Sequence, residues 1–349
     1  MKTPPVFGSA AFARRSLRIG FLALSDAAPL IVAQEHGLFA RHGLNVTLQR
    51  EVGWATIREK IIYGELDAAP APAPMLWSAT LGLGCAPSAV LTGFVFNLHG
   101  NAITLSNALR QEGVKDGPSL RAAARARRGE SRLTFGVVYP YSSHHLQLRQ
   151  WLKAAGVDPD ADVRIAVVPP AQMFRNLSAG TIDGFCAGEP WNTIAVQAGT
   201  GWCPTWSASL SPGQVEKVLM VGERFAVQRA EEHAALISAL TEACEWCDEP
   251  QHREELARLL SGARYLNVRA AAILPALTGR FDCGHGHIEH VPDFVVFHRG
   301  EANVPTADKA ALLQAELRAA GLLPAGVDPA LPGMLFREDL HREALQVRT

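Results

Sequence analysis

Thr181-Ile182-Asp183-Gly184-Phe185-Cys186-Ala187-Gly188-Glu189-Pro190-Trp191 reads as a short apolar strand that opens into a glycine, an acid, a proline and a tryptophan. In open α/β sheets ligands sit beyond the carboxyl ends of strands. A glycine at such an end lets backbone N–H groups come close to a ligand. An acid there also fits a catalytic corner, so this stretch alone leaves enzyme and binding protein both open.

The elements around it alternate. Upstream, the patterning predicts strands over 133–139 and 163–168 with helices over 144–155 and 171–178; a helix over 191–198 follows. An earlier block has the same rhythm, with strands over 17–24, 44–50, 66–70 and 90–96 and helices over 27–36, 57–63 and 75–83. Strands and helices alternating over short loops argue for a doubly wound α/β sheet. Residues 215–222 read as a strand returning to the first block, before a long helix over 231–248 and a mostly helical tail with a loop around 284–292. The expected organisation is two α/β lobes. One takes residues 1–105 plus 211–349 with the helical extension, the other 106–210. Crossings near 103–108 and 207–215 would make a hinge, with the ligand between the lobes.

Composition narrows the function classes. The 349 residues are 48% hydrophobic and 19% charged, as in a globular chain with a sizeable core. A formal net charge of −1 gives no field that would draw nucleic acid or an anionic membrane, while a small anion needs only a local site. The Arg-rich helix expected over 120–128 lacks interleaved aromatics and reads as a solvated face. No apolar run reaches the roughly 18 residues of a membrane span. The segment from Val6 to Ala13 is broken by Gly8 and Ser9, and Arg14-Arg15 mimics a twin-arginine start. It falls short of a secretory pattern, so the expected address is the cytoplasm.

Six cysteines fit reduced thiols there. Cys244 and Cys247 share metal or redox spacing but fall within a helical pattern and read as core residues. Cys283, His285, His287 and His290 form the best metal-like cluster. Their two intervening glycines and the lack of a second cluster make an interface or lid loop the expectation, with no metal. No Gly-x-x-x-x-Gly-Lys phosphate loop occurs within these residues.

Several motifs, in order, resemble one family. Gly100-Asn101-Ala102-Ile103-Thr104-Leu105-Ser106-Asn107, Val168-Pro169-Pro170-Ala171-Gln172-Met173, the segment 180–191, Glu216-Lys217-Val218-Leu219 and Glu245-Trp246-Cys247-Asp248 look like the nitrate-binding proteins of ABC transporters. The resemblance runs from residue 17 to about 300. It implies a type II periplasmic-binding-protein fold, a two-lobed clamp for nitrate, nitrite or, in a sister branch, bicarbonate, with no enzymatic centre and no cofactor. The family's ligand positions fall on Trp54, Asn101, His144, Gly188 and Lys217, with His145 as a competitor for the role of His144. Asn101 stands where transporter members usually carry glutamine. The bicarbonate branch places an acid, used with calcium, where this chain has Lys217, so the lysine favours a bare anion.

That set suits nitrate, a planar monovalent anion whose oxygens only accept hydrogen bonds. Lys217 supplies a point charge and His144, near a helix N-terminus, a ring donor. Gly188 offers a backbone N–H, Asn101 an amide, and Trp54 an indole N–H or a flat wall. Glu189 is expected as a helix cap or inter-lobe contact, since like charge beside an anion weakens binding. The family includes cytoplasmic sensors of the NasS type, which hold an RNA-binding antiterminator partner until anion binds. Such a nitrate or nitrite sensor, itself binding no nucleic acid, is the expected function. The alternative is an exported receptor delivering the anion to a permease.

Overall fold

Leu17, Ile19 and Phe21 are all buried, which sets β1 (Leu17–Phe21) inside a sheet rather than at its edge. β2 (Val46–Arg50), β3 (Ala68–Pro72), β4 (Val90–Leu91) and β5 (Val95–His99) follow. Next come β6 (Asn101–Ser106), β7 (Thr134–Val137), β8 (Arg164–Val167), β9 (Gly184–Gly188) and β10 (Gly201–Trp206). β11 (Val215–Gly222), the hairpin β12 (Arg280–Gly284) and β13 (His287–His290), and β14 (Val295–Val296) complete the strands. The computed structural model describes residues 16–127 and 129–346. The stretch from Val6 to Arg15 and Arg128 lie outside the described residues.

Two mixed sheets carry the fold. The first runs β14-β5-β11-β3-β1-β2, with β4 also on β11; the second runs β10-β6-β9-β7-β8. The chain leaves the first sheet at His99 and Gly100, whose φ of 59° and 100° turn it directly into β6. It returns between Trp206 and Val215. β6 and β10 are strands that the patterning does not predict; they pair antiparallel and close one edge of the second sheet. The single strand expected over 90–96 is two. It breaks at Thr92, whose backbone N–H turns to Leu335 O at 2.8 Å. The Cys283–His290 segment, expected as a loop, is the β12–β13 hairpin.

Two irregularities shape the strand ends. Pro70 and Pro72 cannot donate to a ladder, so β3 pairs with β1 only at Ile19↔Ala68 and is free of it beyond. β11 shifts register against β5 on both sides of Lys217. Such a bulge re-aims side chains, and here it puts Glu216 and Lys217 on one side instead of on opposite faces.

One apolar cluster is shared by both sheets and includes Trp54, Leu76, Tyr139, Phe185 and Trp191. The late helix Ala307–Ala319 is tied into it where the buried Trp77 Nε1 donates to Gln314 Oε1 at 2.7 Å. Gln314 Nε2 donates in turn to Asp328 O at 3.2 Å. Gln314→Leu strands the indole N–H and should lower the unfolding free energy in urea by about 1–3 kcal/mol. A loss below about 0.5 kcal/mol would show that this tie contributes nothing.

Candidate functional site

Lys217 is fully buried. Its Nζ donates to Glu216 Oε1 at 2.5 Å and pairs with Asp26 Oδ2 at 2.9 Å. Asp26 comes from the turn Ser25–Ala27, between β1 and the helix Ala28–Glu35. The lysine also lies over the Trp54 ring, 5.3 Å from its centroid. Trp54 opens the helix Trp54–Ile62 and is itself buried.

The second sheet contributes from the other side. Asn101, first residue of β6, donates from Nδ2 to Glu216 Oε2 at 2.6 Å and to Gln147 Oε1 at 3.1 Å. Gly188, last residue of β9, pairs in register with Asn101. A Cβ on Gly188 would stand 3.5 Å from Asn101 Oδ1 and 3.6 Å from Asp26 Oδ2, so a larger residue would crowd this point. His144 sits in the first turn of the helix Ser143–Ala154, with Nε2 3.5 Å from Glu216 Oε1. His145 faces elsewhere, its Nδ1 on Pro140 O at 2.6 Å, so His144 is the histidine at this point.

All five residues singled out in the sequence thus meet in one network. Asp26 and Glu216 belong to it too, and sequence reasoning missed both as members. Glu216 is visible inside a quoted motif, and Asp26 lies just past the end of the first strand, where ligand-site residues gather. What no local pattern shows is that both acids converge on one lysine.

Electrostatics follow from burial. Burial opposes the charge on Lys217, but Asp26 and Glu216 more than offset it, and the ammonium ends above its ordinary value. Burial, then the lysine charge, push the His144 imidazole well below its ordinary value, so it is neutral near pH 7. Burial raises Asp26, with Lys217 pulling the other way. Around this centre Trp54 Nε1, Ser25 Oγ, both His144 nitrogens and Asn101 Oδ1 are buried without a hydrogen-bond partner among the described residues. Unpaired buried polar atoms are rare and costly in native proteins, and a cluster of them marks a place for a ligand.

The Gly188-Glu189-Pro190-Trp191 loop reaches across to the first sheet. Ser25 N donates to Glu189 O at 2.8 Å, and Trp191 Nε1 to Ala23 O at 3.2 Å. The Glu189 carboxylate points into the protein and caps the next helix through Thr193 N at 3.2 Å. The Cys283–His290 hairpin packs on β10, with His285 Nε2 2.9 Å from Asn107 Oδ1. Among the described residues no group of three or more His, Cys, Asp or Glu side chains is disposed to hold a metal.

Fold and site together define a two-lobed solute-binding protein of the periplasmic-binding type. A family model described as the NMT1-like family matches residues 10–261. Nitrate import ATP-binding protein NrtC of Synechocystis sp. is 39% identical over 83% of this chain and 44% of its own length. Bicarbonate transport ATP-binding protein CmpC of Synechococcus elongatus is 42% identical over 72% of this chain and 38% of its own. The chain therefore spans less than half of these two relatives. Nitrate/nitrite binding protein NrtA of Synechococcus elongatus is 34% identical over 95% of this chain and 77% of its own length. The crystal structure of the periplasmic nitrate-binding protein NrtA from Synechocystis superposes with a TM-score of 0.91 at 29% identity, over 95% of this chain and 88% of that one. The chain belongs to the NMT1-like family and, with NrtA, to the nitrate-binding-protein family.

Burial raises the Glu189 carboxyl to about 7, with its bonds to Thr193 pulling down. The folded state therefore holds this proton more tightly than the unfolded chain, whose value is 4.5. The stabilising contribution is full below that value and is lost as pH rises to about 7. Glu189→Gln removes the effect, so the variant should exceed the wild type in unfolding free energy by about 2–3 kcal/mol near pH 8, with little difference near pH 4.5. Equal stabilities at both pH values in denaturant titrations would contradict this account of Glu189.

Proposed function

We propose that this protein binds nitrate or nitrite between its two lobes as the solute receptor of an anion-import system. The observation that carries this reading is the set of unpaired buried donors, Trp54 Nε1, Ser25 Oγ and His144, gathered around the Lys217 ammonium. An anion with several accepting oxygens and no hydrogens completes all of them at once. A neutral imidazole donates from one nitrogen only, so His144 brings one of these donors. The names of the relatives support nitrate as the ligand and import as the setting.

Lys217 also argues against a metal-assisted ligand. Its ammonium occupies the place between Asp26 and Glu216 that a cation would need. This favours a bare anion over one carried with a divalent ion.

A second reading is a sensor that reports anion to an antiterminator-type protein partner in the cytoplasm. Its support is chemical: all six cysteines are free, five of them buried, as suits a chain kept in a reducing compartment. In that case anion and partner are linked, each changing the other's affinity by the same factor. Release of a purified antiterminator by nitrate separates this reading from the receptor.

Isothermal titration tests the shared claim. The wild type should bind nitrate or nitrite with equal affinity in the presence and absence of EDTA. Trp54→Phe keeps the ring but removes the N–H donor, and should weaken binding about tenfold, the worth of one hydrogen bond to a charged group. Absence of heat with either anion, or a requirement for a divalent cation, would overturn the reading.

A further inference from the structure

The charges of the site do not favour an anion by number. Lys217 brings one positive charge, and Asp26 and Glu216, 2.9 Å and 2.5 Å from its Nζ, bring two negative ones. Both acids are buried, so solvent does little to screen them. The unpaired donors beside it, Trp54 Nε1, Ser25 Oγ and His144, are neutral groups. An anion resting on the lysine therefore stands beside two carboxylates.

We propose that Asp26 and Glu216 set the valence of the ligand, making the clamp a filter that admits singly charged oxyanions and rejects doubly charged ones. The inference rests on the reading of this site as an oxyanion clamp, and it names the acids rather than the donors as the source of selectivity.

The physical basis is a difference in scaling. Hydrogen bonds from neutral donors depend on the number of accepting oxygens, which changes little from nitrate to sulfate. Repulsion from the two carboxylates and attraction to the one ammonium both grow in proportion to ligand charge, so the surplus repulsion doubles from a monovalent to a divalent ligand. The cost of stripping water from the ligand grows faster still with charge, as it does for any buried ion. One lysine already shared between two acids offsets these terms for a monovalent ligand and fails for a divalent one.

The geometry also shows why the acids are present. Glu216 accepts from both Asn101 Nδ2 and Lys217 Nζ, so it holds two of the site's side chains in place. Asp26 fixes the lysine from the turn after β1, at the same end of the first sheet. Positioning and charge selection thus come from the same two side chains.

Two near-isosteric variants test this, Asp26→Asn and Glu216→Gln, each removing one negative charge. In Asp26→Asn the amide oxygen can still accept from Lys217. Folding of each is checked by circular dichroism and thermal unfolding. Wild type and variants are then titrated by calorimetry with sodium nitrate and sodium sulfate. The filter predicts that the ratio of sulfate to nitrate affinity rises about tenfold or more in a folded variant, because one repelling charge has gone. Sulfate that stays undetectable in both variants, or that gains only in step with nitrate, overturns the proposal. A wild type that fails to bind nitrate overturns the reading of the site instead, so the two failures are distinguishable.

Discussion

The structure turns on a lysine ammonium held out of water between two carboxylates. A charge so buried is tolerated only when it is paired and hydrogen-bonded, and Asp26 and Glu216 do both for Lys217. Meeting that requirement shapes the surrounding backbone. The bulge in β11 brings Glu216 to the lysine's side, the two prolines of β3 free the strand end beside it, and the turn after β1 delivers Asp26. Trp54 covers the remaining side with its ring face. Removal of one member would leave a buried charge uncompensated, which makes the group a single unit.

That unit draws side chains from the elements of both sheets. Asn101 and His144 reach Glu216 from the second sheet, while Glu189 O and Trp191 Nε1 meet the loop after β1. Arg58 Nη1 donates to Tyr139 OH at 2.6 Å, tying the helix Trp54–Ile62 to the segment just after β7. A further chain of amides leads outward. Gln147 Nε2 donates to Gln214 Oε1 and Gln214 Nε2 to Glu316 Oε2, each at 2.6 Å. Through Gln147 the site amide of Asn101 is thus connected to the helix Ala307–Ala319.

Much of this is legible in the sequence, and the gaps have physical causes. Strands with strong local alternation, such as β1, and the apolar strand β9 are visible because burial follows local periodicity. β6 and β10 read as connections because their strand character rests on pairing with each other and with β9. The hairpin at 280–290 looks like a loop because of its glycines, Gly284 and Gly286, which serve its turn with φ of 91° and 77°. Trp54, Asn101, His144, Gly188 and Lys217 can be named from motifs, yet nothing local shows that Lys217 is buried. Its burial depends on Asp26, which is remote in sequence and converges on it only through the order of strands in the first sheet. Glu189, by its position a candidate acid at a catalytic corner, turns its carboxyl away to cap a helix and offers its carbonyl to Ser25.

A crystal structure of the protein grown with nitrate would test the central claim most directly. The account predicts a planar anion within hydrogen-bond reach of Lys217 Nζ, Trp54 Nε1 and a ring nitrogen of His144, with Asp26 and Glu216 still on the lysine. Nitrate bound elsewhere, or a Lys217 turned away from both acids, would contradict it.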